Sequence, residues 1–397
     1  MKTNEPTPIP QGYKATPLGI IPQEWEVKPL GEVGKVLSGL TYSPSNIRSN
    51  GLLVLRSSNI QEGRLVFEDN VFVDVLSYTP VKEGDILICV RNGSQNLIGK
   101  TAMITKKAEG CAFGAFMAIF RSPINQYIFY LFGTEIYRKY IYRNLGATIN
   151  SINGSDLKRF RFPFPPLAEQ KKIAEILGTW DKAIEKQSQL IEQLTLRKRG
   201  LMQQLLTAKR RLPGFSDPWK KVRLEEICLI KRGNPLSSTQ IRDGIYPVIA
   251  GGKTSPYFHD EYTDENVITI SASGAYAGFV SLHEDKIWAS DCSVISSRDG
   301  LSVLKYIYYL LALKQIYIYS LQVGGAQPHV LPIDIAKMKI YVPAKAEQTA
   351  IAQVLTAADR EIELAQQKLE LLRQQKRGLM QQLLTGKKRV KLYDHNN

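Results

Sequence analysis

KRGLMQQLLT occurs twice: Lys198–Thr207 and Lys376–Thr385 carry the same ten residues, 178 positions apart. Identity of that length in one short chain marks an internal repeat, and the repeat decides the fold. The same offset carries Glu169-Gln170 onto Glu347-Gln348, Ile173-Ala174 onto Ile351-Ala352 and Asp181 onto Asp359. It also carries Gly146 onto Gly324, Asp156 onto Asp334 and Pro165 onto Pro343. Further upstream, Trp25, Leu30, Glu32 and Gly39 match Trp219, Leu224, Glu226 and Gly233 at an offset of 194. The chain is two copies of one plan, each with a Trp-led beginning, a dissimilar middle and a near-constant tail.

The tails read as helices. In the first, Ile173, Leu177, Trp180, Ile184, Ile191, Leu194, Leu201 and Leu205 follow a step of alternating fours and threes. Ile351, Leu355, Ile362, Leu369, Leu372, Leu379 and Leu383 do so in the second. A period of 3.5 residues held over four to five heptads is the coiled-coil signal. Pro165-Pro166 opens the first helix, Pro213-Gly214 stops it, and Gly386 ends the second. About 40 residues at ~1.5 Å each give rods of roughly 60 Å. Lys198 and Lys376 interrupt the two seams at matching positions. Each either snorkels at the seam edge or fixes the pairing register. Pairing within the chain is favoured by effective concentration, with self-association of two copies as the alternative.

The middles read as mixed α/β. Gly84 to Val90 and Cys111 to Phe120 are apolar runs expected to be core strands, as is Asn266 to Ile270, which precedes the glycine-rich Ser271 to Phe279. Each middle closes on a Tyr-rich amphipathic segment, Tyr127 to Tyr142 and Tyr306 to Tyr319. Those tyrosines are expected to pack in and around the core rather than stack on bases.

The 397 residues carry 52 Lys+Arg against 37 Asp+Glu, a net charge of +15, which fits a polyanionic partner. Residues 167–211 and 345–391 each hold 10 basic and 5 acidic side chains, whereas 212–344 balance at 13 and 13. Cys89, Cys111, Cys228 and Cys292 make no CxxC pair, which argues against a zinc site or a disulfide framework. The N-terminus lacks the apolar core of a secretory signal and no apolar run reaches membrane length, so a cytoplasmic protein is expected. No P-loop, HExxH, GxSxG or amino-methyltransferase [DN]PP[YF] motif occurs, so binding or scaffolding is the better expectation than catalysis.

GYKATPLGIIPQEWEVKPLGEV (Gly12 to Val33) with its second copy DPWKKVRLEEI, PPLAEQKKIAEIL (Pro165 to Leu177), both KRGLMQQLL segments and GGAQPHVLPIDI (Gly324 to Ile335) form an ordered set. That set resembles the specificity subunit of type I restriction–modification systems over roughly residues 13 to 386. The resemblance implies two α/β target recognition domains, pseudo-twofold related and joined by two long helices forming an antiparallel coiled coil that acts as a ruler. The implied divisions are 1–166 for the first recognition domain with an N-terminal arm, 167–211 for the first helix, 212–344 for the second domain, 345–391 for the second helix, and a 392–397 tail. It further implies a non-catalytic subunit that reads a bipartite site on double-stranded DNA and recruits two methyltransferase subunits and the motor/nuclease restriction subunits. No cofactor is expected on this chain; S-adenosylmethionine, ATP and Mg are expected on the partner subunits, and no metal or membrane contact here.

Base-reading candidates are polar residues beside or after expected strands. In the first middle these are Arg56, Ser57, Asn59, Arg91, Asn92 and Ser94; in the second, Lys253, Ser273, Tyr276, Gln327 and His329. Arg can bridge guanine O6 and N7, and Asn the N6 and N7 of adenine. Asn150-Ser151 and Pro328-His329 are equivalent under the 178 offset yet differ chemically. Two alternatives remain open on the sequence: a stand-alone nuclease with an unrecognised site, and a coiled-coil assembly protein without a nucleic-acid role.

Overall fold

A computed structural model describes residues 9–145, 151–237, 239–252, 254–255 and 257–392. The chain forms two units, residues 1–186 with 369–397 and residues 187–368. Each contains an α/β body, the first half of one long helix and the second half of the other.

The two bodies share one sheet plan. In the first unit, β1 (Lys35–Ser38), β2 (Ile86–Cys89), β3 (Thr101–Met103) and β4 (Met117–Arg121) lie in the order β1-β4-β2-β3, all antiparallel. In the second, β5 (Cys228–Arg232), β6 (Val267–Ser271), β7 (Val280–His283) and β8 (Cys292–Ser297) lie in the order β5-β8-β6-β7, again all antiparallel. A smaller sheet accompanies each. It has a parallel pair, Leu52–Leu55 with Ala112–Phe113 in one unit and Tyr246–Ile249 with Trp288–Ala289 in the other. A two-stranded ribbon ties the start of each body to its end, Glu26–Pro29 with Arg161–Phe164 and Lys220–Arg223 with Lys339–Val342.

The apolar runs found in the sequence behave as strands, with one difference. Cys111 to Phe120 is not one strand. It breaks into Ala112–Phe113 in the small sheet and β4 in the large one, because the backbone crosses between sheets at Gly114. Gly39 packs so closely there that a Cβ on it would lie 2.1 Å from the Gly114 carbonyl oxygen. The Tyr-rich segments form short helices, and Tyr127, Tyr130, Tyr137, Tyr306 and Tyr309 are buried in the cores. Tyr142 and Tyr317 remain exposed.

The helices α1 (Leu167–Leu205) and α2 (Lys345–Leu383) are each 39 residues long and uninterrupted. Every apolar seam residue named above is buried or half-buried, and none is exposed. Ile173 and Leu177 of α1 join Leu383 of α2 in the first core, with Trp25, Phe120 and Phe162. Leu205 of α1 joins Ile351 and Leu355 of α2 in the second core, with Leu224, Ile268 and Tyr306. Full burial of one such large side chain contributes about 1.5–3 kcal/mol.

Two polar clamps complete each core. In the first unit, buried Glu169 accepts from Trp25 Nε1 (3.1 Å) and Arg389 Nε (2.7 Å). Asp181 accepts from Tyr130 OH (2.7 Å) and Lys376 Nζ (2.5 Å), with that ammonium 5.1 Å from the Tyr130 ring centroid. In the second unit, buried Glu347 accepts from Trp219 Nε1 (3.2 Å) and from Arg211 Nε and Nη2 (2.6 and 2.7 Å). Asp359 accepts from Tyr309 OH (2.7 Å) and from Lys198 Nζ. Lys198 and Lys376 therefore do not snorkel to water. Each pairs with the aspartate of the other helix, which ties the pairing to one register. In the second unit the partners of 187, 198 and 211 are 365, 359 and 347, so one segment advances as its partner recedes.

Candidate nucleic-acid interface

In the first unit the candidate site forms where three separated segments meet beyond the end of β2. Val90 N and Arg91 N both donate to the Phe116 carbonyl (3.0 and 3.1 Å), and Ile152 N donates to the Val90 carbonyl (2.8 Å). Arg91 and Ser151 face each other across an antiparallel bridge. The Arg91 guanidinium lies 5.7 Å from the centroid of the exposed Phe116 ring. Asn92 Nδ2 donates to Ser57 Oγ (3.1 Å), and Ser94 N donates back to Asn92 Oδ1 (3.0 Å), which shapes the turn. Ser57, Arg91, Asn92 and Ser94 are thereby brought together. Arg56 points its guanidinium at Asp69 Oδ2 (2.8 Å) instead. Asn59 is fully buried, accepting from Arg56 N (2.9 Å) and donating to the Val66 carbonyl (3.0 Å), so it shapes the loop from inside.

The second unit builds the same place from different side chains. Ala272 N donates to the Asp291 carbonyl (3.1 Å) and Val330 N to the Ala272 carbonyl (3.0 Å). Ser273 and His329 form the antiparallel bridge, and Ser273 Oγ donates to Asp291 Oδ2. His329 is exposed, held by a reciprocal pair of 2.8 Å bonds with Val323, and Gln327 is exposed in the same hairpin. Tyr276 is exposed on the turn that follows Ser273. Gly251 closes against this site: a Cβ there would lie 2.7 Å from the Ser273 carbonyl oxygen, so the position requires glycine. Lys253 and Asn150 lie outside the described residues.

Position by position, Val90, Arg91, Phe116, Ser151 and Ile152 correspond to Ala272, Ser273, Asp291, His329 and Val330. Phe116 and Asp291 were not among the sequence candidates. Phe116 lay hidden in an apolar run, and the matching of 116 with 291 follows neither repeat offset. Hydrogen bonding alone reveals the pair.

Burial pushes the Cys89 and Cys228 thiols up to about 11 and Cys292 up to about 12, so all three stay protonated at neutral pH. Among the described residues no group of three or more His, Cys, Asp or Glu could hold a metal ion. No described helix is long and apolar enough to cross a membrane.

The family described as the type I restriction modification DNA specificity domain matches residues 22–196 and again residues 216–374. The chain belongs to that family. Its members among curated proteins resemble it over different extents. A specificity subunit assigned to the type I restriction enzyme MjaX of Methanocaldococcus jannaschii is 29% identical over 419 residues, 96% of this chain and 97% of that one. The EcoKI specificity subunit of Escherichia coli K12 is 31% identical over 254 residues, 58% of this chain and 54% of its own length. In three dimensions the type I restriction-modification S subunit from M. genitalium shares the fold, with a TM-score of 0.61 at 17% identity over 93% of this chain and 97% of that one. The twofold match of the family to this specificity subunit falls on the two copies of the sequence repeat.

Proposed function

We propose that this specificity subunit reads a bipartite site on double-stranded DNA, one half-site per α/β unit, and carries no catalytic centre. On this reading the helices form an antiparallel coiled coil that relates the units by a pseudo-twofold axis. Two methyltransferase subunits and the restriction subunits dock on it and bring S-adenosylmethionine, ATP and Mg. The divisions at 166, 211, 344 and 391 separate the readers from the constant helices.

One observation carries the proposal: the loop frameworks around Arg91 and around Ser273 share two backbone bonds and an antiparallel bridge at equivalent positions and carry different side chains. A fold that keeps its frame while changing exposed polar residues suits two readers of different sequence. The pseudo-twofold reading is supported by Gln187, whose Nε2 donates to the Ala365 carbonyl (2.9 Å); the two positions are equivalent under the 178 offset, and equivalent residues meet at a twofold axis. Half-sites about one helical turn apart, ~34 Å, would face one side of the duplex. The excess of basic residues in the helical segments supplies the sequence-independent attraction.

The test is a map of methylated adenines in host DNA with and without the gene, with the methyltransferase partner shown to be expressed. Loss of one two-part motif of fixed spacing supports the reading; an unchanged map contradicts it.

A further inference from the structure

The corresponding positions in the two units differ in a way that base chemistry can interpret. Three segments present one side chain each: Arg91, Phe116 and Ser151 in the first unit, Ser273, Asp291 and His329 in the second. Each set sits on the same backbone scaffold. Phe116 and Asp291 supply the carbonyl that receives the chain leaving the central strand, so the scaffold fixes where both side chains start.

The first set is a donor set. Arg91 offers only N–H groups, which match the paired acceptors O6 and N7 of guanine. An exposed arginine loses entropy when it is ordered, and the Phe116 ring beside it, 5.7 Å away, holds the guanidinium before DNA arrives. Phe116 retains 56% of its surface, so its ring face is open to the guanidinium. In the second set the distinguishing group is the Asp291 carboxylate, which only accepts. A carboxylate brought against DNA is repelled by every phosphate, so Asp291 at this position needs a donor on a base edge. In the major groove the donors are the exocyclic amines, N4 of cytosine and N6 of adenine. Ser273 Oγ, donating to Asp291 Oδ2, holds that carboxylate in one orientation.

The geometry points to Phe116 and Asp291 as specificity-determining residues: Phe116 positions Arg91 to read guanine in one half-site, and Asp291 accepts from an exocyclic amine in the other. This rests on the DNA-recognition reading above and adds to it which chemistry each half-site offers.

The experiment uses the full chain assembled with its methyltransferase subunits. Its readouts are the methylated motif and binding to duplexes permuted at each position of each half-site. R91A and F116A are expected to lower discrimination at a guanine in one half-site by about 5- to 150-fold, leaving the other half-site unchanged. D291A is expected to relax one amine-bearing position in the other half-site, and the isosteric D291N tells which base it is: an amide can still bridge N6 and N7 of adenine, so the preference survives at adenine and is lost at cytosine. S273A, which keeps the carboxylate but frees its orientation, is expected to weaken that base preference less than D291A does and at the same position, and it reads out the site if D291A is unstable. Uniform weakening across all duplexes, unchanged discrimination, or relaxation of both half-sites together would overturn the assignment. A wild-type complex with no bipartite motif would overturn the DNA-recognition reading itself, whatever the variants do.

Discussion

Glu169 and Glu347 stand at the same point in two cores and hold the same partners, a tryptophan N–H and an arginine. Phe116 and Asp291 stand at the same point in two loops and share no chemistry. The contrast separates what the fold must repeat from what it is free to change. A buried carboxylate needs every one of its partners, because removing one leaves a charge or a donor unpaired at a cost of several kcal/mol. Both copies of the clamp are held by that penalty. The loop framework is fixed by backbone bonds that any side chain permits, so an exposed residue on it can vary without unfolding the unit.

The sharpest way to break this comparison is to cut the clamps. Glu169→Ala should destabilise the first unit by about 3 kcal/mol, since Trp25 and Arg389 both lose their acceptor. Glu347→Ala should act the same way on the second unit. Hydrogen exchange read peptide by peptide assigns each loss to its unit, and a loss in only one of them would show that the clamps are not equivalent. A smaller effect should distinguish the two helix ends. Gly386 has φ +71° and a Cβ there would meet Pro22 Cδ at 2.3 Å, whereas its equivalent, Ala208, holds φ 56° with a side chain. Gly386→Ala should cost about 2 kcal/mol and Ala208→Gly should stabilise by about 0.5–1 kcal/mol, measured as shifts of the urea midpoint.

The smallest effect concerns alkaline pH. A buried thiol whose folded value is raised keeps its proton longer in the native state than in the unfolded one. Its contribution to stability is full below pH 9 and is lost as pH rises through the folded value. Cys89 acts so in the first unit up to about 11, with Cys111 raised in the same direction, and Cys228 and Cys292 in the second up to about 11 and about 12. Between pH 9 and 12 both units should lose stability, the buried tyrosines of each adding to the loss. Replacing Cys228 and Cys292 by alanine should reduce that loss in the second unit and leave the first unit's unchanged, apart from the constant cost of the lost side-chain volume.

Much of the frame was legible in the sequence. A 3.5-residue period and a ten-residue identity specify two long helices, and the polar residues conserved between the copies, Glu169 with Glu347 and Asp181 with Asp359, turn out to be the clamps. That signal was present before their partners could be known, because Arg389 and Lys376 reach those carboxylates only once the helix segments pair. The candidate loops were legible in part. Arg91, Asn92 and Ser94 in the first unit and Ser273 and His329 in the second follow predicted strands or carry the repeat offset, and each group gathers within its own unit as loop ends should. Phe116 and Asp291 gave no signal: no local pattern distinguishes a residue whose role depends on the segments that fold against it.

The central claim is that two independent readers occupy equivalent places on one repeated frame. The most direct measurement gives the chain two copies of its first reader, replacing residues 224–343 with residues 30–165, and maps the methylated motif. Leu30 and Leu224 are both fully buried, and Pro165 and Pro343 are equivalent, so the junctions fall on shared structure. The account predicts that the second half-site disappears and the motif becomes an inverted repeat of the first. A direct repeat of the first half-site, or survival of the original second half-site, would contradict it.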